Sequence, residues 1–150
     1  MRKINKLIVH CSAGSQRNTA ADIVAFHLAP ASKGGRGWKT PGYHYIIEAD
    51  GTVVPVVPED KISNGCKGHN ADSINICYIG GIDMTRKVNG QYPPIDNRTP
   101  AQKAALRTLL SRLRAKYPEA KIYGHRDFAQ KACPSFDARV EYADLQPQAA

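Results

Sequence analysis

The chain has no apolar run near the roughly 20 residues that a membrane-spanning helix needs, so insertion into a bilayer is not expected. Its basic start, Met1-Arg2-Lys3, is followed by an apolar run of only three residues, Leu7 to Val9, before His10, too short for the core of a secretory signal. The expectation is therefore a protein made and kept in the cytoplasm of its producing cell. None of the four cysteines stands in a Cys-x-x-Cys pair, which excludes the usual zinc-ribbon and dithiol patterns. Acidic residues are in deficit, 13 against 21 basic ones, giving a formal charge of +8. That excess favours polyanionic surroundings such as nucleic acid, an anionic membrane or an acidic cell wall. Nucleic acid is the weakest of these, because no basic-and-aromatic recognition motif is present. Internal repeats, linkers and low-complexity segments are also missing.

What remains is the composition of an ordinary folded chain of 150 residues, 42% hydrophobic and 23% charged. One domain spanning residues 1–150, with its core between about 5 and 140, is expected at this length.

The chain alternates strand-like and helix-like stretches. Lys6 to Ser12 is β-branched and reads as a buried strand with Ile8 and His10 on one face and Leu7, Val9 and Cys11 on the other. Thr19 caps a helix over Ala20 to Leu28, with Ile23, Phe26 and His27 on one side. A Gly- and Lys-rich loop then leads to Trp38, a stacking contact or a lid over the core. Gly42 to Val56 reads as a hairpin turning at Asp50-Gly51, with Pro55 marking a sheet edge. Its alternation places Tyr43, Tyr45 and Ile47 on one face and His44 and Ile46 on the other. A polar loop carrying His69 precedes a second buried strand, Ser73 to Gly81. Thr99-Pro100 opens a helix whose core stripe is Leu106, Leu109, Leu110, Leu113 and Tyr117. Lys121 to Tyr123 is a short strand. The fold class is α/β, a single domain with a mixed central sheet flanked by helices.

The chemistry concentrates in Gly124 to Asp137. His125 and Cys133 lie close in a segment that Pro134 prevents from being one regular helix, so they can converge. Two readings stand at this point: a Cys–His nucleophile pair, or two ligands of a metal. His10, at the C-terminal end of a buried strand, is a third candidate ligand. Two histidines and one thiolate leave the fourth position of a zinc tetrahedron open, the catalytic arrangement. His44 and His69 are further possible ligands or substrate contacts, as is Trp38 for substrate. A nucleophile pair would leave His10 unexplained.

Several blocks together resemble the type 2 N-acetylmuramoyl-L-alanine amidases. They are Val9-His10-Cys11-Ser12-Ala13, Gly42-Tyr43-His44-Tyr45, Ser73-Ile74, Gly80-Gly81-Ile82-Asp83, Thr99-Pro100-Ala101-Gln102, Gly124-His125-Arg126 and Pro134-Ser135-Phe136-Asp137. They occur in the family's order across nearly the whole chain. That family includes the amidases called phage lysozymes and shares its fold with peptidoglycan recognition proteins. The resemblance implies one zinc ion on His10, His125 and Cys133, with Tyr43 and Lys131 completing the active site. A zinc ion acidifies bound water to a pKa of about 7 and polarises a carbonyl. An ammonium or phenol can stabilise the developing oxyanion. In an extended segment, Lys131 and Cys133 would face the same side.

The implied reaction is hydrolysis of the amide joining N-acetylmuramic acid to L-alanine in peptidoglycan, the expected partner of a monomeric chain. The implied role is a phage or prophage endolysin acting on the wall after release, with wall recycling as the other option. A non-catalytic wall-binding module or a phage regulator of RNA polymerase is the alternative; the presence of Cys133 argues for the enzyme. The sequence departs from the family pattern at Ala25-Phe26-His27, where relatives carry a Trp-His pair. It departs again at Ala31 to Arg36, which intervenes before Gly37-Trp38. Both departures bear on the shape of the groove, and no glutamate takes the general-base role that some members assign to one.

Overall fold

In the computed structural model, which describes residues 2–148, five strands form one sheet in the order β3-β2-β4-β1-β5. The strands are β1 (Lys6–Cys11), β2 (Tyr45–Ile47), β3 (Val53–Pro55), β4 (Ser73–Tyr78) and β5 (Lys121–Gly124). All pair in parallel except the β2–β3 hairpin, so the sheet is mixed. β4 is buried at every position and β1 at every position but Lys6, as parallel strands covered on both faces must be. Pro55 lies on the edge strand β3, where its missing N–H costs no ladder bond. The hairpin turns at Gly51, whose φ of +90° suits glycine, and a Cβ there would meet the Ala101 carbonyl oxygen at 3.0 Å.

Helix α1 (Ala20–Leu28) starts at a capping box in which Thr19 and Asp22 bond each other's backbone N–H. Its Ala20 and Ile23 pack on Ile46, Cys77 and Ile79. Phe26 departs from expectation, since it is 47% exposed rather than on the core face. A helix this short buries only the narrow stripe Ala20, Ile23 and His27, and Phe26 falls beside that stripe.

The opposite face carries α2 (Pro100–Lys116), opened by a second capping box between Thr99 and Gln102. Leu106, Leu109, Leu110 and Leu113 pack against Leu7, Val9, Ile74, Ile76 and Ile122. Each such leucine contributes about 1.5–3 kcal/mol. Gln102 is fully buried and donates to the carbonyls of Ile47 (3.2 Å) and Ile79 (3.0 Å), which ties the helix start to the ends of β2 and β4. α3 (Ala138–Glu141) follows the cysteine loop and is capped by Asp137. It is held by buried Arg98, which reaches Glu141 and Tyr142 and lies 3.6 Å above the Phe136 ring. One helix therefore covers each face of the sheet, and the C-terminal ends of β1, β4 and β5 meet between them.

Candidate metal centre

Strand register brings the two histidines together. β1 and β5 are parallel neighbours with Val9 opposite Gly124, so the residues that come next are His10, still on β1, and His125, just past the end of β5. Their Nδ1 atoms face each other at 3.2 Å. His125 opens a single 3-10 turn (His125–Asp127) anchored by Asp127, which accepts the Gly124 N–H at 2.8 Å. The chain then doubles back: Arg126 N–H donates to the Cys133 carbonyl at 2.7 Å, and Ser135 N–H to that of Ala132 at 2.6 Å. Tyr78 Oη donates to the Pro134 carbonyl at 2.6 Å and Ser135 Oγ to that of Gly81 at 2.8 Å. Cys133 is thus returned to the strand ends by turns, not by the extended segment expected from sequence. One ligand atom from each of His10, His125 and Cys133 falls in a group spanning no more than 4.8 Å.

The donor set fits a zinc ion. Two nitrogens bound at about 2.0–2.1 Å in a tetrahedron stand roughly 3.3 Å apart, close to the separation seen. A ligating imidazole must also be neutral, and both are. Burial, followed by the neighbouring His125, depresses His10 to about 3; burial and the charge of Lys131 depress His125 to about 4. His10 Nε2 is occupied by Asn75 Oδ1 at 2.8 Å, which leaves Nδ1 for the cluster. In the metal-free chain the adjacent Cys11 thiol and burial push the Cys133 thiol well up. A bound cation would reverse that preference, and the Cys11 N–H, 3.2 Å from Cys133 Sγ, is placed to donate to the resulting thiolate.

The cluster opens on a cleft of about 770 Å³ whose walls include Tyr43, Lys131, Trp38, His27 and Phe128. Tyr43 places its ring 5.0 Å from that of His10, and burial keeps its phenol protonated far into the alkaline range. It does not share a face with Tyr45 and Ile47, as alternation would have it. The stretch before β2 is irregular, and Tyr43 packs with Ile46 on the α1 side while Tyr45 packs on the α2 side. Lys131 is exposed at the cleft wall. Trp38 lies against His27 at 4.8 Å between ring centroids, with Arg36 stacked over it at 5.4 Å. His27, a packing residue by sequence, is buried and accepts the Gly42 N–H at 3.0 Å, yet it also lines the cleft beside Tyr43.

Two candidates lie elsewhere. His44 is fully buried beneath the cleft, with Nδ1 accepting the Asn75 N–H and Nε2 donating to the Lys61 carbonyl, so neither nitrogen is free for substrate or metal. His69 stacks on Phe128 at 4.1 Å and backs the wall rather than lining it. Sequence reasoning missed Asn75, Arg36 and Lys67. Asn75 was visible as a polar residue in the apolar run Ile74 to Ile79. Arg36 and Lys67 line the cleft with Lys131, and among the described residues no carboxylate does.

Similarity to known proteins agrees with this arrangement. Residues 1–136 match the family model described as N-acetylmuramoyl-L-alanine amidase. The endolysin of Klebsiella phage KP32 is 39% identical over 138 residues, covering 92% of this chain and 85% of that protein. Among solved structures, the Ph2119 endolysin from Thermus scotoductus MAT2119 bacteriophage Ph2119 superposes with a TM-score of 0.74 at 27% identity, covering 99% of this chain and 88% of that one. The N-acetylmuramoyl-L-alanine amidase LysC from Clostridium intestinale URNW gives 0.74 at 26% identity, with 96% and 86% covered. A match over nearly the whole length, on a chain whose strand ends gather two histidines and a cysteine beside an open cleft, makes this protein a member of the N-acetylmuramoyl-L-alanine amidase family.

Proposed function

We propose that the protein hydrolyses the amide between the lactyl group of N-acetylmuramic acid and the L-alanine of the stem peptide, with one zinc ion held by His10, His125 and Cys133. The observation that carries this is the His-His-Cys cluster at the head of a cleft, in a chain of the amidase family. When bound there, zinc supplies Lewis acidity to the amide carbonyl and acidity to water.

The protein's own groups do the rest. Addition of water to the amide places negative charge on the carbonyl oxygen, and the departing alanine nitrogen must gain a proton. Tyr43 Oη, kept neutral by burial, is a hydrogen-bond donor for the oxyanion. Lys131 Nζ is a second donor, and its charge lies near enough to His125 to help lower that imidazole's pKa. With no carboxylate on the described cleft wall, these two residues and not a glutamate are assigned to charge and proton handling. Trp38 supplies a flat apolar wall for the substrate.

The biological role that fits is lysis of the bacterial wall by a phage or prophage endolysin. The protein is made in the cytoplasm of the producing cell and reaches the wall after release, where a charge of +8 favours residence on an anionic polymer. Among the described residues no helix is long and apolar enough to cross a membrane. A monomer suffices, since one chain supplies all the ligands. The test is digestion of purified peptidoglycan, scoring new N-terminal alanine amines and new reducing sugar ends separately, with and without a chelator. Chelator-sensitive release of amines alone is expected. New reducing ends, or full activity after metal removal, would overturn the reading.

A further inference from the structure

We infer that Asn75, backed by Ser63 and His44, is a positioning residue that fixes His10 with its proton on Nε2 and its lone pair on Nδ1. The consequence for metal affinity rests on the zinc reading above, whereas the protonation pattern stands on this chain's hydrogen bonds alone.

Each proton in this network can be placed from a backbone group whose role is not negotiable. The Lys61 carbonyl can only accept, so His44 Nε2, 2.8 Å away, donates; the Arg2 guanidinium nitrogen 3.1 Å from the same Nε2 gives its two protons to the carbonyls of Glu59 (2.8 Å) and Ser73 (3.1 Å). The Asn75 backbone N–H can only donate, so His44 Nδ1, 3.0 Å away, accepts. Ser63 Oγ stands 3.0 Å from that same Nδ1, so its hydroxyl proton points there and the oxygen is left to accept from Asn75 Nδ2 at 2.8 Å. A second anchor agrees. Cys66 N–H donates to Asn70 Oδ1 at 2.8 Å, which makes that oxygen an acceptor for Asn75 Nδ2 at 3.1 Å.

The amide of Asn75 therefore has its nitrogen committed on two sides, and its Oδ1 is the atom facing His10 Nε2 at 2.8 Å. A carbonyl oxygen accepts, so the His10 proton sits on Nε2 and Nδ1 is directed to His125 and Cys133. His44, Ser63 and Asn75 are all at most 1% exposed, so water does not offer an alternative partner. Flipping the amide would turn Nδ2 onto the His10 Nε2 proton and Oδ1 onto the acceptor oxygens of Ser63 and Asn70, stranding several buried groups at a cost of about 1–3 kcal/mol each. The amide is also clamped sterically: a Cβ on Gly65 would lie 2.8 Å from Asn75 Cγ. An apolar side chain would fill this strand position for packing alone; the structure spends a full set of hydrogen bonds on it instead.

The test reads the ring directly. In metal-free protein, long-range proton–nitrogen NMR should show His10 with its proton on Nε2. Zinc affinity is then measured by competition with a chromophoric chelator. Asn75→Leu should mix the two His10 forms and weaken zinc by about 10–100-fold. Asn75→Asp, which retains an acceptor, should keep the Nε2 proton and recover most of the affinity despite lower stability. Ser63→Ala should give a smaller loss, because Asn70 still orients the amide. A His10 proton on Nδ1 in the wild type overturns the inference. So does a folded Asn75→Leu with wild-type protonation and zinc affinity. Should Asn75→Leu not fold, an Asn75→Asp protein that loses zinc as severely as a ligand substitution would equally overturn it. Failure of the wild type to take up zinc would sink the metal reading and leave the protonation result to stand or fall separately.

Discussion

The two faces of the sheet are built on opposite terms. Against α2 the sheet presents Leu7, Val9, Ile74, Ile76 and Ile122, and the leucines of the helix close over them with little polar chemistry. Against α1 the same strands present His10, Asn75 and Cys77, and the layer beneath the cleft buries His44 and Ser63 as well. The first arrangement is nondirectional and gains free energy from area removed from water. The second has a smaller apolar cluster around Ile23, Ile46 and Ile79 and must in addition satisfy each polar atom, since a buried unpaired group costs more than a made bond returns. The difference teaches how a chain of this size holds a reactive site: one face supplies the stability that lets the other be polar, strict in geometry and chemically poised. The His-His-Cys cluster sits where the two faces end, at the carboxyl ends of β1 and β5.

The contrast can be broken from either side. The largest effect is expected for Cys133→Ser, which removes the proposed thiolate ligand. Zinc binding and turnover should vanish together while the metal-free melting temperature stays close to that of the wild type, as checked by metal analysis, amine release and calorimetry. Leu110→Ala does the reverse. Loss of a fully buried leucine should cost about 2–5 kcal/mol in urea unfolding, while the folded fraction keeps its zinc affinity. Lys131→Ala should retain zinc and stability but lower kcat by about 10²–10³-fold, the usual cost of losing one donor to an oxyanion. Normal turnover would remove Lys131 from the reaction.

A further contrast is a slope in pH. His10 titrates near 3 and His44 near 4, both lowered chiefly by burial from an ordinary 6.5. Below about pH 6.5 the unfolded chain binds protons that the folded chain refuses, so stability falls as pH falls. Stepping metal-free protein from about pH 6.5 to 4.5, above most carboxylate titration, should lower the urea midpoint progressively. A flat midpoint would mean that these imidazoles are not held neutral.

Much of this organisation was legible in residue order because it is local. Thr19 and Thr99 are caps, Asp50-Gly51 is a turn and Pro55 is an edge for reasons confined to a few neighbouring residues. The nearness of His10 to His125 was not local, yet it could be anticipated because one lies near the end of a strand and the other just after one, and only the register of β1 with β5 was missing. Where the sequence misled, the cause was a period applied beyond its element. Strand alternation was extended through Tyr43, which precedes β2, and the helical stripe was widened to include Phe26. Lys131 was read in an extended segment that is a set of turns. Asn75 escaped notice because nothing in Ile74-Asn75-Ile76 says that its partners come from residues 61 to 70 and from β1.

The central claim is that His10, His125 and Cys133 bind one metal ion through a thiolate and two imidazoles. Substitution with cobalt(II) tests it without reference to activity, because a thiolate–cobalt bond gives a charge-transfer band in the near ultraviolet. One equivalent of cobalt per chain should produce that band in the wild type and in Cys11→Ser, and none in Cys133→Ser. Absence of the band from the wild type, or its survival in Cys133→Ser, would contradict the account.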